Sequence, residues 1–320
     1  MNLSYGGKLG QLYKIWFKNL FLQIITICIY RPWAKTKIRK YLFGSIAIFG
    51  DNLEYSGTGR ELFRGNCKAF LIILAFSILG YAIVAASFDN KGADTYGDDV
   101  TNTISSIVLV FLIYYSQFSS LRYKLGRLRW RSIRANLGGS GFKYVLLRFR
   151  RAILSCLSLG FLMGRSDILA RKYMIERISI GSVNFSFEGS HKALDWANFF
   201  SLLLAIPTLM LSRVWYANKR RNYIWSSIRI GQGIKITSTF GFRKTLGLYF
   251  GNLFIIIFTL GLGIPICLNR SVKFLATNIN IEGEPEEIEA LQSQYASATG
   301  DAMSDLLDDS GGLDFDFSIW

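Results

Sequence analysis

Six charge-free apolar runs, most of them pressed against a cluster of Lys and Arg, constrain this chain more than any other feature. The runs cover residues 19–30, 69–88, 100–121, 152–164, 196–212 and 245–269. The bases stand beside them, from Arg31 to Lys40, Arg122 to Arg134, Arg148 to Arg151 and Lys219 to Arg221. A helix crossing a bilayer needs about 20 predominantly apolar residues, and a run of about 10–14 is more often buried, interfacial or re-entrant. The second, third and sixth runs reach that length unaided. The first and fourth reach it only by taking in Lys14 and Lys18, or Arg148 and Arg151. Each of those pairs shares one helix face, from which it can snorkel to the headgroups.

Charge separation supports a membrane setting. The chain is 51% hydrophobic with mean hydropathy +0.27, yet it holds 37 Lys and Arg against 22 Asp and Glu, a net charge of +15. Only 18% of residues are charged, against about 25% in an average soluble protein. Disorder as the main state, a disulfide scaffold and a collagen-like fibre are excluded on these grounds. No Lys or Arg follows Lys273, whereas half of the acids lie in 282–316. A second acidic patch, Asp89, Asp94, Asp98 and Asp99, crowds Lys91. Bases beside apolar runs are the positive-inside pattern, so nucleic acid is not an expected partner. Cys28, Cys67, Cys156 and Cys267 have no metal-ligand spacing and read as buried free thiols. The segment 1–11 has no apolar h-region, and no cleaved signal peptide is expected.

The expected fold is mainly α: a polytopic helical membrane protein with internal repeats and small β-hairpins on its basic loops. It comprises a membrane domain over 1–280 and an acidic, largely disordered tail over 281–320. The repeats are gapless. Asn19, Thr26, Pro32, Lys40 and Gly50 superpose on Asn252, Thr259, Pro265, Lys273 and Gly283. Arg39, Lys40, Tyr41, Asn52 and Gly57 superpose on Arg171, Lys172, Tyr173, Asn184 and Gly189. Tyr41, Tyr173, Tyr223 and Phe274 each precede an Ile-x-Ile triplet, and Trp130 with Ala135 and Leu137 is a weaker copy. Period-two alternation followed by Asp51-Asn52, Gly181-Ser182 or Gly231-Gln232-Gly233 predicts hairpins. A basic unit follows five of the six runs, however, and alternating spans cannot put them all on one side. Six spans with one strained loop, 165–195, are the preferred arrangement. The alternative makes several runs re-entrant and lets only the second and third cross as a pair. Both place the 88–103 loop in the periplasm.

Several of these residues carry a family resemblance. Trp16, Asn19-Leu20, Thr26, Tyr30-Arg31-Pro32-Trp33-Ala34 and Tyr55-x-Gly57-Thr58-Gly59-x-Glu61-Leu62, with the later run from Leu246 to Leu253 and the acidic, aromatic tail, resemble the YjgN family of bacterial inner-membrane proteins. The resemblance covers nearly the whole chain and departs in the copies, where Gly164-Arg165 replaces Pro32-Trp33 and Pro265 lacks its Trp. It implies a bacterial inner (plasma) membrane location, expected to be multi-pass. The family is a domain of unknown function and brings no catalytic residues.

Signs of chemistry are sparse. His191 is the single histidine and reads as a loop residue without a role. No hydrolase elbow or zinc-protease motif occurs, and Gly57-Thr58-Gly59-Arg60 lacks the Gly-Lys end of a phosphate loop. No enzyme, cofactor or metal is expected. The six runs hold no acid or histidine, the usual relay of proton-coupled transport. Asn19, Thr26, Asn252 and Thr259 are candidate intramembrane polar positions, serving interhelical hydrogen bonds or a solute path. Arg127, Arg129, Arg131 and Arg134 are candidate lipid-headgroup contacts. The expected function is non-enzymatic organisation of anionic phospholipid or protein partners. A homo-oligomer or another membrane protein is a further candidate partner. The alternative is a transporter or channel for a small solute, motivated by repeats and by helices broken at Pro207, Gly261, Gly263 and Pro265.

Overall fold

A computed structural model of the chain describes residues 3–87, 94–181, 183–231 and 233–283. The tail beyond 283 and residues 88–93, with Asp89 and Lys91 of the acidic patch, lie outside the described residues.

Among the described residues, ten short strands form one antiparallel sheet whose spatial order is its sequence order. They are β1 (Ser4–Tyr5), β2 (Ile46–Ile48), β3 (Asp51–Tyr55), β4 (Leu128–Trp130), β5 (Ile133–Leu137), β6 (Ile178–Ile180), β7 (Val183–Phe187), β8 (Ile228–Ile230), β9 (Ile234–Ser238) and β10 (Ile279–Glu282). Pairs of helices bridge alternate strands. They are α1 (Leu9–Ile25) with α2 (Arg31–Gly44), α3 (Gly59–Ser87) with α4 (Asp94–Gly126), α5 (Gly141–Leu157) with α6 (Met163–Ile175), α7 (Asp195–Leu203) with α8 (Leu211–Ser226), and α9 (Phe242–Phe258) with α10 (Ile264–Asn278).

In a meander, successive connections leave from opposite ends of the strands. The tight turns β2–β3, β4–β5, β6–β7 and β8–β9 therefore share one end of the sheet, and all five helix pairs leave from the other. Local chemistry sets the tight turns. Phe49 and Gly50 both have positive φ, as do Arg131 and Ser132, the backbone of a two-residue hairpin matched to strand twist.

Alternation gives the sheet two unlike faces. Leu53 sits opposite Trp130, Tyr55 opposite Leu128, Ala135 opposite Ile180, and Phe187 opposite Ile228. The intervening residues are polar, with Glu54 opposite Arg129 and Glu282 opposite Lys235. One core cluster joins Leu12, Leu42, Leu53, Trp130, Val183, Ile234, Val272 and Ile281, drawn from both ends of the chain and its middle. The two ends of the sheet meet through side chains and helices. The Tyr5 hydroxyl donates to Asn269 Oδ1 (2.8 Å), and α10 packs on α1 and β1.

This architecture overturns the expected polytopic helical fold. Among the described residues no helix is long and apolar enough to cross a membrane, so the transmembrane helices and multi-pass topology expected from the sequence have no support in the structure. The physical reason is visible in four of the runs. Each reverses within itself, at Ile27–Cys28, Leu159–Gly160, Leu209–Met210 and Leu260–Gly261, where the backbone takes positive φ. A run counted as one span is instead the end of an outgoing helix, a turn and the start of a returning one. Pro32 and Pro265 break nothing: each sits in the first turn of a returning helix, where its fixed φ suits the start.

Candidate membrane-facing site

The four reversals share one backbone design. At the end of each outgoing helix a hydroxyl residue turns back on its own chain. The hydroxyls of Thr26, Ser158, Thr208 and Thr259 donate to the carbonyls of Leu22, Ser155, Leu204 and Ile255. The same oxygens accept the amides of Tyr30, Leu162, Ser212 and Gly263, which lie in the turn or the returning helix. The amides of Cys28, Gly160, Met210 and Gly261 bond the carbonyls of Gln23, Ser155, Ala205 and Ile256, the wide ring that closes a helix ending in a left-handed residue. Backbone groups at each apex are thereby satisfied without water, a condition for placing a turn in an apolar medium.

What the apices display is apolar. Ile27, Leu159 and Leu209 are each 87% exposed and Leu260 is 92% exposed. Phe21, Ile24, Leu157, Ile206, Phe254 and Phe258 extend the apolar surface down the hairpins. Soluble monomers rarely expose contiguous apolar patches larger than a few hundred Å². Four such apices on one side of a sheet make a surface suited to a bilayer. Bases follow in the returning helices: Arg31, Arg165 and Arg213 lie within four to six residues of an apex, and Arg270 lies six residues, about 9 Å, into α10.

The four candidate intramembrane polar residues divide into two roles. Thr26 and Thr259 close apices, as described. Asn19 and Asn252 are packed deeper along α1 and α9. The Asn252 side-chain amide donates to the Ser271 hydroxyl of α10 (3.2 Å), and its carbonyl oxygen is buried without a partner among the described residues. Asn19 is fully buried, and its side-chain amide has no partner among the described residues. The sequence reading missed Ser158 and Thr208, although their place one residue before a left-handed residue marks them as the same device.

The candidate headgroup arginines lie in and beside the β4–β5 hairpin of the sheet. Arg127 Nε is 3.1 Å from Glu61, Arg131 pairs with Asp51 and stacks over Trp130, and Arg129 stands between Glu54 and Arg134 across the strands. Arg131 occupies a tight turn, at the end of the sheet opposite the apices. Arg127 and Arg131 are thus committed to carboxylates, and the bases nearest the apices lie on the helices instead.

Comparison with known proteins agrees with a membrane setting. The family model described as "Bacterial protein of unknown function (DUF898)" matches residues 1–211 and 191–306. The chain belongs to this family. Among named relatives, the inner membrane protein YjgN of Salmonella typhimurium is 33% identical over 78 residues, 24% of this chain and 20% of that protein. The inner membrane protein YjgN of Escherichia coli K12 is 25% identical over 142 residues, 44% of this chain and 32% of that protein. The matches therefore span about a third or less of these relatives' own length. No solved structure matches the chain. The bacterial inner membrane is the location that this DUF898 member's relatives support.

Proposed function

We propose that this DUF898 protein is a non-enzymatic membrane-surface scaffold that inserts the apices of its helix pairs into one leaflet and gathers anionic phospholipid around them. The sheet, with its polar outer face, then stays in water on the basic, cytoplasmic side. The observation that carries this reading is the recurrence of an exposed, internally hydrogen-bonded apolar apex at Ile27, Leu159, Leu209 and Leu260. Each base near the headgroups adds about 1 kcal/mol of attraction to an anionic leaflet, screened by salt. The breaks in the apolar runs fall at exposed apices, which offers no motive for a solute path. Liposome flotation is the test. The wild-type chain is expected to float with phosphatidylglycerol-containing vesicles and to resist a high-salt wash. Replacing Ile27, Leu159, Leu209 and Leu260 together by Asp should leave it at the bottom of the gradient. Equal flotation of that variant would refute insertion of the apices.

A further inference from the structure

One cluster in the helical layer holds charges that do not balance. Asp167 of α6 faces three guanidiniums from three helices. Arg220 of α8 donates from Nη1 to its Oδ2. Arg171, one turn along α6, holds Nε 3.7 Å from Oδ2, and Arg148 of α5 holds Nη1 3.8 Å from Oδ1, both beyond hydrogen-bond reach. Among the described residues, neighbouring groups do not supply the missing negative charge. Asp195 of α7 is committed to Arg165, and Arg213 of α8 bonds only the neutral Asn198 and Ser201. The Nε–H groups of Arg148 and Arg171 and the hydroxyl of Tyr216 are buried with no hydrogen-bond partner among the described residues. Tyr144 and Tyr216 flank the cluster, and burial pushes the Tyr216 hydroxyl up to about 12, so it is a donor at neutral pH.

Three half-buried guanidiniums around one carboxylate leave excess positive charge and unfilled donors, an arrangement that an anion relieves. A phosphate group suits it: guanidinium forks match its oxygens bidentately, and its charge offsets what Asp167 leaves over. We propose that Arg148, Arg171, Arg220 and the Tyr216 hydroxyl form a binding site for a phosphate group, either free or in the headgroup of an anionic phospholipid. The lipid source rests on the membrane reading above; the site's chemistry does not.

Two measurements on the full chain in uncharged detergent separate the sources. One is calorimetric titration with inorganic phosphate. The other is native mass spectrometry after exchange into phosphatidylglycerol, with phosphatidylcholine as the control. Arg171→Gln, at the most exposed of the three bases, is expected to weaken binding about tenfold or more, the worth of one charged hydrogen bond. Arg171→Lys, which keeps the charge and loses the fork, should fall between. Arg229→Gln, at a base paired with Glu188 in the sheet, should change nothing. Phosphate and phosphatidylglycerol both retained would show a phosphate-group site open to either source. Phosphatidylglycerol alone would assign it to the headgroup, and phosphate alone to a soluble anion. Binding of neither, or binding equal in wild type and Arg171→Gln, would overturn the proposal. Flotation is scored separately, so a failed site and failed insertion give different results.

Discussion

At the residue scale, the apices show how much a single φ angle decides. Gly160 (φ +85°) and Gly261 (φ +88°) fill the left-handed position in two reversals, where a side chain costs about 1–2 kcal/mol. Cys28 and Met210 bear that cost in the other two, because the hydroxyl-closed turn fixes their backbone. Gly261→Ala meets only an ordinary contact, Ile264 Cδ1 at 3.9 Å, and should lose about 1 kcal/mol in denaturant unfolding. Gly160→Ala should lose more, since its new Cβ would stand 2.8 Å from Leu202 Cδ2 and that side chain must shift. Equal losses would mean Leu202 yields freely. Thr259→Val keeps the shape of the side chain and removes both of its hydrogen bonds at the apex. About 1 kcal/mol or more should follow, read as a lower thermal midpoint, because the Gly263 amide is left without its acceptor. The sequence made Thr26 and Thr259 conspicuous as intramembrane polar residues. It did not show their task, because their partners are backbone groups four residues away on either side, which only a reversal brings together.

Among the elements, one tyrosine contact recurs. The hydroxyls of Tyr41, Tyr173 and Tyr223 donate to the carbonyls of Lys8, Ser140 and Ser190, each 33 residues earlier. Each bond ties the end of a returning helix to the start of its outgoing partner's segment, closing a helix pair at its base. The alternating triplets 46–48, 178–180 and 228–230 are strands β2, β6 and β8, and periodicity marked their place. Periodicity could not show that the turns joining them all lie on one end of a single sheet. That follows from pairings such as Phe185 with Ile230, which link residues distant in sequence. Hydropathy erred for a related reason: it scores a run by its length, and a left-handed pair such as Leu209–Met210 carries no signal of its own. The edge strand β1 makes a pH prediction. Burial, and then Tyr41, push the Tyr5 hydroxyl up to about 12 from its usual 10. An acid whose folded pKa is raised favours the fold below its unfolded pKa, and that contribution fades between pH 10 and about 12. Protection factors at β1, which normalise out base-catalysed exchange, should therefore fall across that window, and Tyr5→Phe should remove that fall at the cost of the bond to Asn269.

Across the whole molecule, strictly sequential strand order and neighbour-to-neighbour helix packing describe a linear array. Arrays in which each unit touches only the next unfold piecemeal. This one is arranged to avoid that. Its central core takes Leu12 from α1, Leu53 from β3, Trp130 from β4, Val183 from β7, Ile234 from β9 and Val272 from α10. The Tyr5–Asn269 bond and the packing of α10 on α1 then close the arc. Leu12 has no exposed surface, so Leu12→Ala removes contacts to units at both ends of the chain. The expected cost is about 2–5 kcal/mol. The more telling outcome is its distribution. If the closed core makes the sheet one cooperative body, amides of β4–β5 and β8–β9, remote from Leu12 in sequence, should lose exchange protection to the same extent as those of β2–β3. Loss confined to β1–β3 would show a linear array whose ends touch without sharing stability.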